Sequence, residues 1–136
     1  MLKSIKSKNG GVKLTEQIKS KERVAEYGEV FTAEREVKAM CGLVENEFNK
    51  SGKNFLDATF LEPACGEGNF LIEILSRKLQ TLEKNYRDNF SECERRSLMA
   101  LSTLYGIDIL DDNVKKCREN LFELWKNFIE KIGKIS

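Results

Sequence analysis

The sequence predicts an α/β fold that is rich in helix, holds about two parallel strands, and is incomplete as a doubly wound sheet. Three observations lead there. Two short apolar runs, residues 55–61 and 103–109, are separated by helical patterns, and strands joined through helices pair in parallel by a right-handed crossover. The first run opens, through a turn with two glycines, straight into an amphipathic helix. No third run reads as a strand, whereas a doubly wound sheet has about five or six.

Residues 1–27 read as a basic arm followed by a short helix. Within residues 1–25, Lys3, Lys6, Lys8, Lys13, Lys19, Lys21 and Arg23 stand against only Glu16 and Glu22. A charge run of that kind is expected to be solvated and flexible through Asn9-Gly10-Gly11. Residues 14–27 then form a short helix that Gly28 breaks. Thr32 is placed to cap the next helix, with Glu34 and Glu36 in its first turn. That helix, 33–49, repeats Val37, Met40, Val44 and Phe48 at helical spacing. A turn at 51–54 leads to the first strand, 55–61.

The helix after the glycine turn starts at Glu67 and carries Phe70, Leu71, Ile74, Leu75, Leu79 and Leu82 on one face. A polar connector, 84–89, precedes a helix capped by Ser91 that runs to about residue 102, with Leu98 and Leu101 turned inward. After the second strand, Asp111 caps a last helix. Its stripe of Val114, Cys117, Leu121, Leu124, Phe128 and Ile132 is expected to be buried.

Bulk properties bound the function. The 136 residues suffice for one core, with 40% hydrophobic and 33% charged residues. A net charge of +1 gives no overall attraction to nucleic acid. Neither a signal peptide nor a membrane span is visible, so a cytoplasmic protein with no membrane partner is expected. Cys41, Cys65, Cys93 and Cys117 are far apart and the chain has no histidine. No metal site is expected, and the thiols should be reduced. Cys41 and Cys117 fall on apolar helix faces, as small core residues do. Without histidine the commonest general base near neutral pH is missing.

The segment Glu62-Pro63-Ala64-Cys65-Gly66-Glu67-Gly68-Asn69-Phe70 concentrates the chemistry. A carboxylate ends the strand, and glycines let backbone approach a small polar ligand at a helix N-terminus, where amides are expected to point outward. Asp108 follows the second strand and is placed to complete a nucleoside pocket. Forty residues separate Gly68 from Asp108. That is about twice the spacing of the dinucleotide fingerprint, so a simple NAD unit is disfavoured.

These residues resemble the S-adenosylmethionine-binding motif of N6-adenine DNA methyltransferases of restriction–modification systems, typically Asp-Pro-(Ala/Ser)-Cys-Gly-(Ser/Thr)-Gly-(Asn/Ala)-Phe. Gly28-Glu29-Val30-Phe31-Thr32 is similar to the family's N-terminal motif, and Tyr105-Gly106-Ile107-Asp108-Ile109 to its next motif. The three occur in family order and span most of residues 24–125. The resemblance implies an incomplete Rossmann-like methyltransferase fold, with residues 28–136 as the cofactor-binding half. It implies S-adenosylmethionine as cofactor, with Gly66, Gly68, Pro63 and Ala64 in the turn along its methionine part and Glu62 near its ammonium group. Asp108 would accept both ribose hydroxyls, Ile109 would pack on adenine, and Phe31 and Thr32 would close the opposite side. Glu62 in place of aspartate, Glu67 in place of a small hydroxyl residue and Ala33 in place of proline depart from the pattern.

The family's catalytic element is an (Asn/Asp/Ser)-Pro-Pro-(Tyr/Phe) loop that holds a flipped adenine. Pro63 is the only proline here, so this loop is absent and no catalytic residue is assigned. The expectation is the cofactor-binding part of an adenine-specific DNA methyltransferase, without the target-recognition region and inactive alone. DNA would be its substrate through the parent enzyme. An unpaired strand edge should then be met by the missing C-terminal half, a partner subunit or a second copy. A non-catalytic binding or regulatory module, and part of an RNA or protein methyltransferase, are the alternatives.

Overall fold

A computed structural model describes residues 5–8, 11–14 and 33–135. The chain divides into two compact units, Met1–Met40 and Cys41–Ser136. In the first, β1 (Ile5–Lys8) pairs antiparallel with β2 (Gly11–Leu14), Ile5 opposite Leu14 and Lys8 opposite Gly11. Paired strands thus replace the flexible arm expected there. The Asn9-Gly10 dipeptide between them is a strong short-range hairpin signal that the charge pattern obscured. The helix expected over 14–27, the Thr32 cap and Phe31 lie outside the described residues.

Helix α1 (Glu34–Ser51) runs across the division between the units. Val37 and Cys41 are buried, Phe48 is half-buried, and Met40 and Val44 are exposed, so the expected stripe holds at Val37 and Phe48 and shifts by one position to Cys41 between them. Arg77 explains part of this: its guanidinium donates to Glu45 at 3.0 Å, which turns that side of α1 toward a polar neighbour. Phe48, at the helix end, packs with Phe55 and Phe60 at ring-centroid separations of 5.5–6.0 Å.

The first predicted strand is shorter than residues 55–61. Phe55–Asp57 form a 3-10 turn because the Asn54 side chain accepts the Leu56 amide at 3.0 Å, a local bond that competes with extended backbone. Extended structure begins only at β3 (Phe60–Glu62). It pairs in parallel with β4 (Leu104–Gly106), in the register Phe60–Leu104, Leu61–Tyr105, Glu62–Gly106. Two parallel strands among abundant helix confirm the expected incomplete α/β architecture.

Between the strands lie α2 (Asn69–Tyr86) and α3 (Phe90–Ser102), and α4 (Asp111–Ile135) follows. Their shared core is Leu75, Leu79, Leu82, Cys93, Ala100, Phe128 and Ile132. On α4, Cys117, Phe128 and Ile132 are buried, and Val114, Leu121 and Leu124 half-buried. The cap of α3 is Asn89, not Ser91: its side chain accepts the Glu92 amide at 3.1 Å. Glu92 then binds Arg95 and Arg96, whose hydrogen bonds hold its carboxyl down to about 2.

Leu98 is exposed rather than inward, and Leu101 only partly buried. The buried face of α3 is Cys93, Ser97 and Ala100, small residues that permit close helix approach. Ser97 also accepts the Trp125 indole N–H at 2.8 Å, so α3 and α4 are joined by a polar contact inside the core.

Lys78 is fully buried on the apolar face of α2. Its ammonium donates to the carbonyls of Leu56 (3.1 Å) and Ala58 (2.6 Å) and to the Thr103 hydroxyl (2.7 Å). The rings of Phe55 and Phe60 lie 5.7 and 5.1 Å away. One cation therefore ties α2 to the segments entering both strands. Burial lowers its pKa from 10.5 to about 8.

Candidate functional site

The two strands deliver their following loops to one place because hydrogen bonding continues past the ladder. Ile107 donates its amide to the Glu62 carbonyl at 3.0 Å, and Cys65 donates to the Ile107 carbonyl at 2.9 Å. The turn after β3 and the chain after β4 thus run side by side. Gly106 permits this: a Cβ there would stand 3.0 Å from Cys65 and Leu71 side-chain atoms.

Within the turn, Gly66 donates its amide to Asp108 Oδ2 at 3.0 Å. Gly68 donates to the Cys65 carbonyl at 2.8 Å, and its own carbonyl accepts the Ile72 amide at 2.7 Å, which starts α2. Gly68 has φ +94°, the left-handed region, and a Cβ would lie 2.7 Å from Cys117 Sγ. Both its conformation and its space exclude a side chain. The amides of Gly66 and Gly68 are therefore spent inside the turn. This corrects the expectation that they point outward; the first-turn amides of α2, from Asn69 onward, are the donors a helix start leaves over.

Asp108 is half-buried and more heavily engaged than a solvated acid. Besides Gly66 it takes the Leu110 amide (2.9 Å) and the Asn113 side-chain amide (3.3 Å) on Oδ1. The Leu110 carbonyl accepts the amides of Asn113 and Val114, so Asp111 is a first-turn residue of α4 and not its cap. On the next turns of α4, the Asn120 side chain donates to the Glu67 carbonyl at 3.0 Å. Asn113, fully buried, and Asn120 were not anticipated. Their spacing of seven puts them on one helix face, but nothing in the sequence marks that face as the one that meets the turn.

Of the predicted site residues, Gly66, Gly68 and Asp108 come together directly. Glu62 is half-buried at the end of β3, one ladder step from Ile107. Pro63 and Ala64 are exposed on the outside of the turn. Ile109 is 74% exposed beside Asp108. Beneath the turn, the Cys65 and Cys117 thiols pack with Leu71. Burial, reinforced by the neighbouring Cys117, pushes Cys65 up to about 12, and burial raises Cys117 as well. All four cysteines are free and buried. A cavity of about 250 Å³ between Leu56, Asp57, Arg96, Met99 and Thr103 lies at the opposite, entry end of the strands, away from this site.

Two carboxylates and a glycine turn at the carboxyl ends of adjacent parallel strands occupy the place where open α/β sheets bind ligands. The fold and this arrangement define the chain as a Rossmann-like portion of an α/β protein. The family model described as MmeI, DNA-methyltransferase domain, matches residues 37–123, more than half of the chain, and the chain belongs to that family. The match takes in the glycine turn and Asp108, and the expected restriction–modification DNA methyltransferase portion is thereby met. No curated protein and no solved structure matches. Among the described residues, no helix is long and apolar enough to cross a membrane.

Proposed function

We propose that residues 28–136 are the S-adenosylmethionine-binding half of an adenine-specific (N6) DNA methyltransferase, and that this chain alone does not methylate DNA. The observation that carries the reading is the 3.0 Å hydrogen bond from Gly66 to Asp108, which holds turn and acid at one crevice. The donor set suits the ligand. Glu62 is a carboxylate for the ammonium group, Asp108 one for ribose hydroxyls, and exposed Ile109 an apolar surface for adenine. The resemblance assigns Phe31 and Thr32 to the cofactor as well, and both lie outside the described residues. When bound, the cofactor supplies an electrophilic methyl group.

The chain's own residues bind and orient. A positioned ligand lowers the entropic part of a displacement barrier, and no residue here is assigned to hold the target base. With Pro63 as the only proline, the Pro-Pro loop must come from elsewhere. Among the described residues β3 and β4 pair only with each other. Their remaining edges suit the missing half, a partner subunit or a second copy. DNA is the substrate of the complete enzyme, which acts in the cytoplasm.

Calorimetry with S-adenosylmethionine, comparing the chain with Asp108→Ala, tests the reading. Binding that the substitution abolishes supports it. Binding by neither protein overturns it in favour of a non-catalytic module, and adenine methylation by the purified chain refutes its inactivity.

A further inference from the structure

We infer that Asn113 is a positioning residue that leaves Asp108 a single acceptor position, so that the site grips one ribose hydroxyl strongly and the other weakly. The inference rests on the cofactor reading above and narrows it. A carboxylate offers about four lone-pair positions. Oδ1 holds two protein donors, the Leu110 amide and the Asn113 side chain, and is full. Oδ2 holds one, the Gly66 amide, and keeps one position open. The oxygens of Asp108 are thus unequal.

Asn113 can impose this because it cannot move away. Its side chain is fully buried on the first turn of α4, and its backbone amide is tied to the Leu110 carbonyl at 3.0 Å. The same helix grips the glycine turn through Asn120, which bonds the Glu67 carbonyl. One rigid element therefore sets both the turn and the orientation of the acid. Without Asn113, Oδ1 would regain a position and the two oxygens would become alike. The carboxylate would then accept both hydroxyls, as the resemblance implied.

The test is the affinity of the full chain for S-adenosylhomocysteine and for its 2′-deoxy and 3′-deoxy analogues. A hydrogen bond to a charged group is worth enough to predict about a tenfold loss for one deoxy analogue, against less than about threefold for the other. In Asn113→Ala, or Asn113→Ser should the alanine variant fail to fold, that discrimination falls to about twofold. Asn120→Ala is the control for mere loosening: it weakens all three ligands and keeps the discrimination. Equal losses for both analogues on the unsubstituted chain overturn the inference, as does discrimination that survives Asn113→Ala. Both outcomes leave the cofactor reading standing. Failure of the unsubstituted chain to bind S-adenosylhomocysteine at all removes that reading and this inference with it.

Discussion

Asp108 accepts the amide proton of Gly66 across 3.0 Å, although the two residues are forty-two positions apart. One side chain thereby ties the loop after β3 to the loop after β4 and to the start of α4. The contact is structural as well as a part of the candidate site, and this makes its removal measurable without any ligand.

Asp108→Ala strands three donors: the amides of Gly66 and Leu110 and the side chain of Asn113. An unsatisfied, partly buried donor costs about 1–3 kcal/mol. Because Asp108 is only half-buried, a total loss of about 2–3 kcal/mol is expected in urea unfolding. Asp108→Asn keeps one acceptor oxygen and should lose less. Equal stability of all three proteins would show that the carboxylate is solvated.

Gly68→Ala should cost more than about 2 kcal/mol, since it adds left-handed strain to a contact 2.7 Å from Cys117 Sγ. Gly52→Ala is the internal comparison. Gly52 has φ +72° and nothing within 4 Å of its added Cβ, so only the strain of about 1 kcal/mol applies. Adding Cys117→Ala to Gly68→Ala should recover the steric share and not the rest. A strictly additive double variant would rule the contact out.

The pH dependence of Lys78 has a definite sign. Its pKa is lowered from 10.5 to about 8, so between these values the unfolded chain binds more protons than the folded one. Stability from this group therefore rises with pH through that window and is lost again as pH falls toward 8. Measured against Lys78→Met, which carries the same thiols, the natural chain should gain on the order of 2–3 kcal/mol between pH 8 and pH 10. A flat difference would mean that the ammonium reaches water.

The thiols act in the opposite direction. Burial raises Cys41 from 9.0 to about 11 and Cys65 from 9.0 to about 12. The unfolded chain releases these protons first, so their contribution is whole below pH 9 and declines as pH rises toward 11 and 12. At pH 8, iodoacetamide should leave native Cys65 and Cys41 unmodified for as long as it takes to alkylate them fully in urea. Rapid native labelling of Cys65, followed by mass spectrometry, would contradict the packing beneath the turn.

Much of this architecture is legible in the chain itself. The Pro63–Gly68 turn, the apolar stripes of α2 and α4, and the two strands flanking α2 and α3 follow from local rules. Glycine, proline and residue periodicity act within a few positions of themselves. The family of the chain was likewise readable from the glycine turn and from Asp108.

Tertiary structure decided what depends on residues distant in sequence. Leu98 is as apolar as Leu75, yet α3 packs through Cys93, Ser97 and Ala100, because neighbouring helices leave room only for small side chains. Lys78 is buried because three acceptors from other segments happen to converge on it. Asn113 and Asn120 look like ordinary helix-surface residues until α4 is laid against the glycine turn. Hydrophobic pattern ranks residues by their cost in water. Which oxygen of Asp108 stays open to a ligand depends on where partners arrive, and only the folded chain settles that.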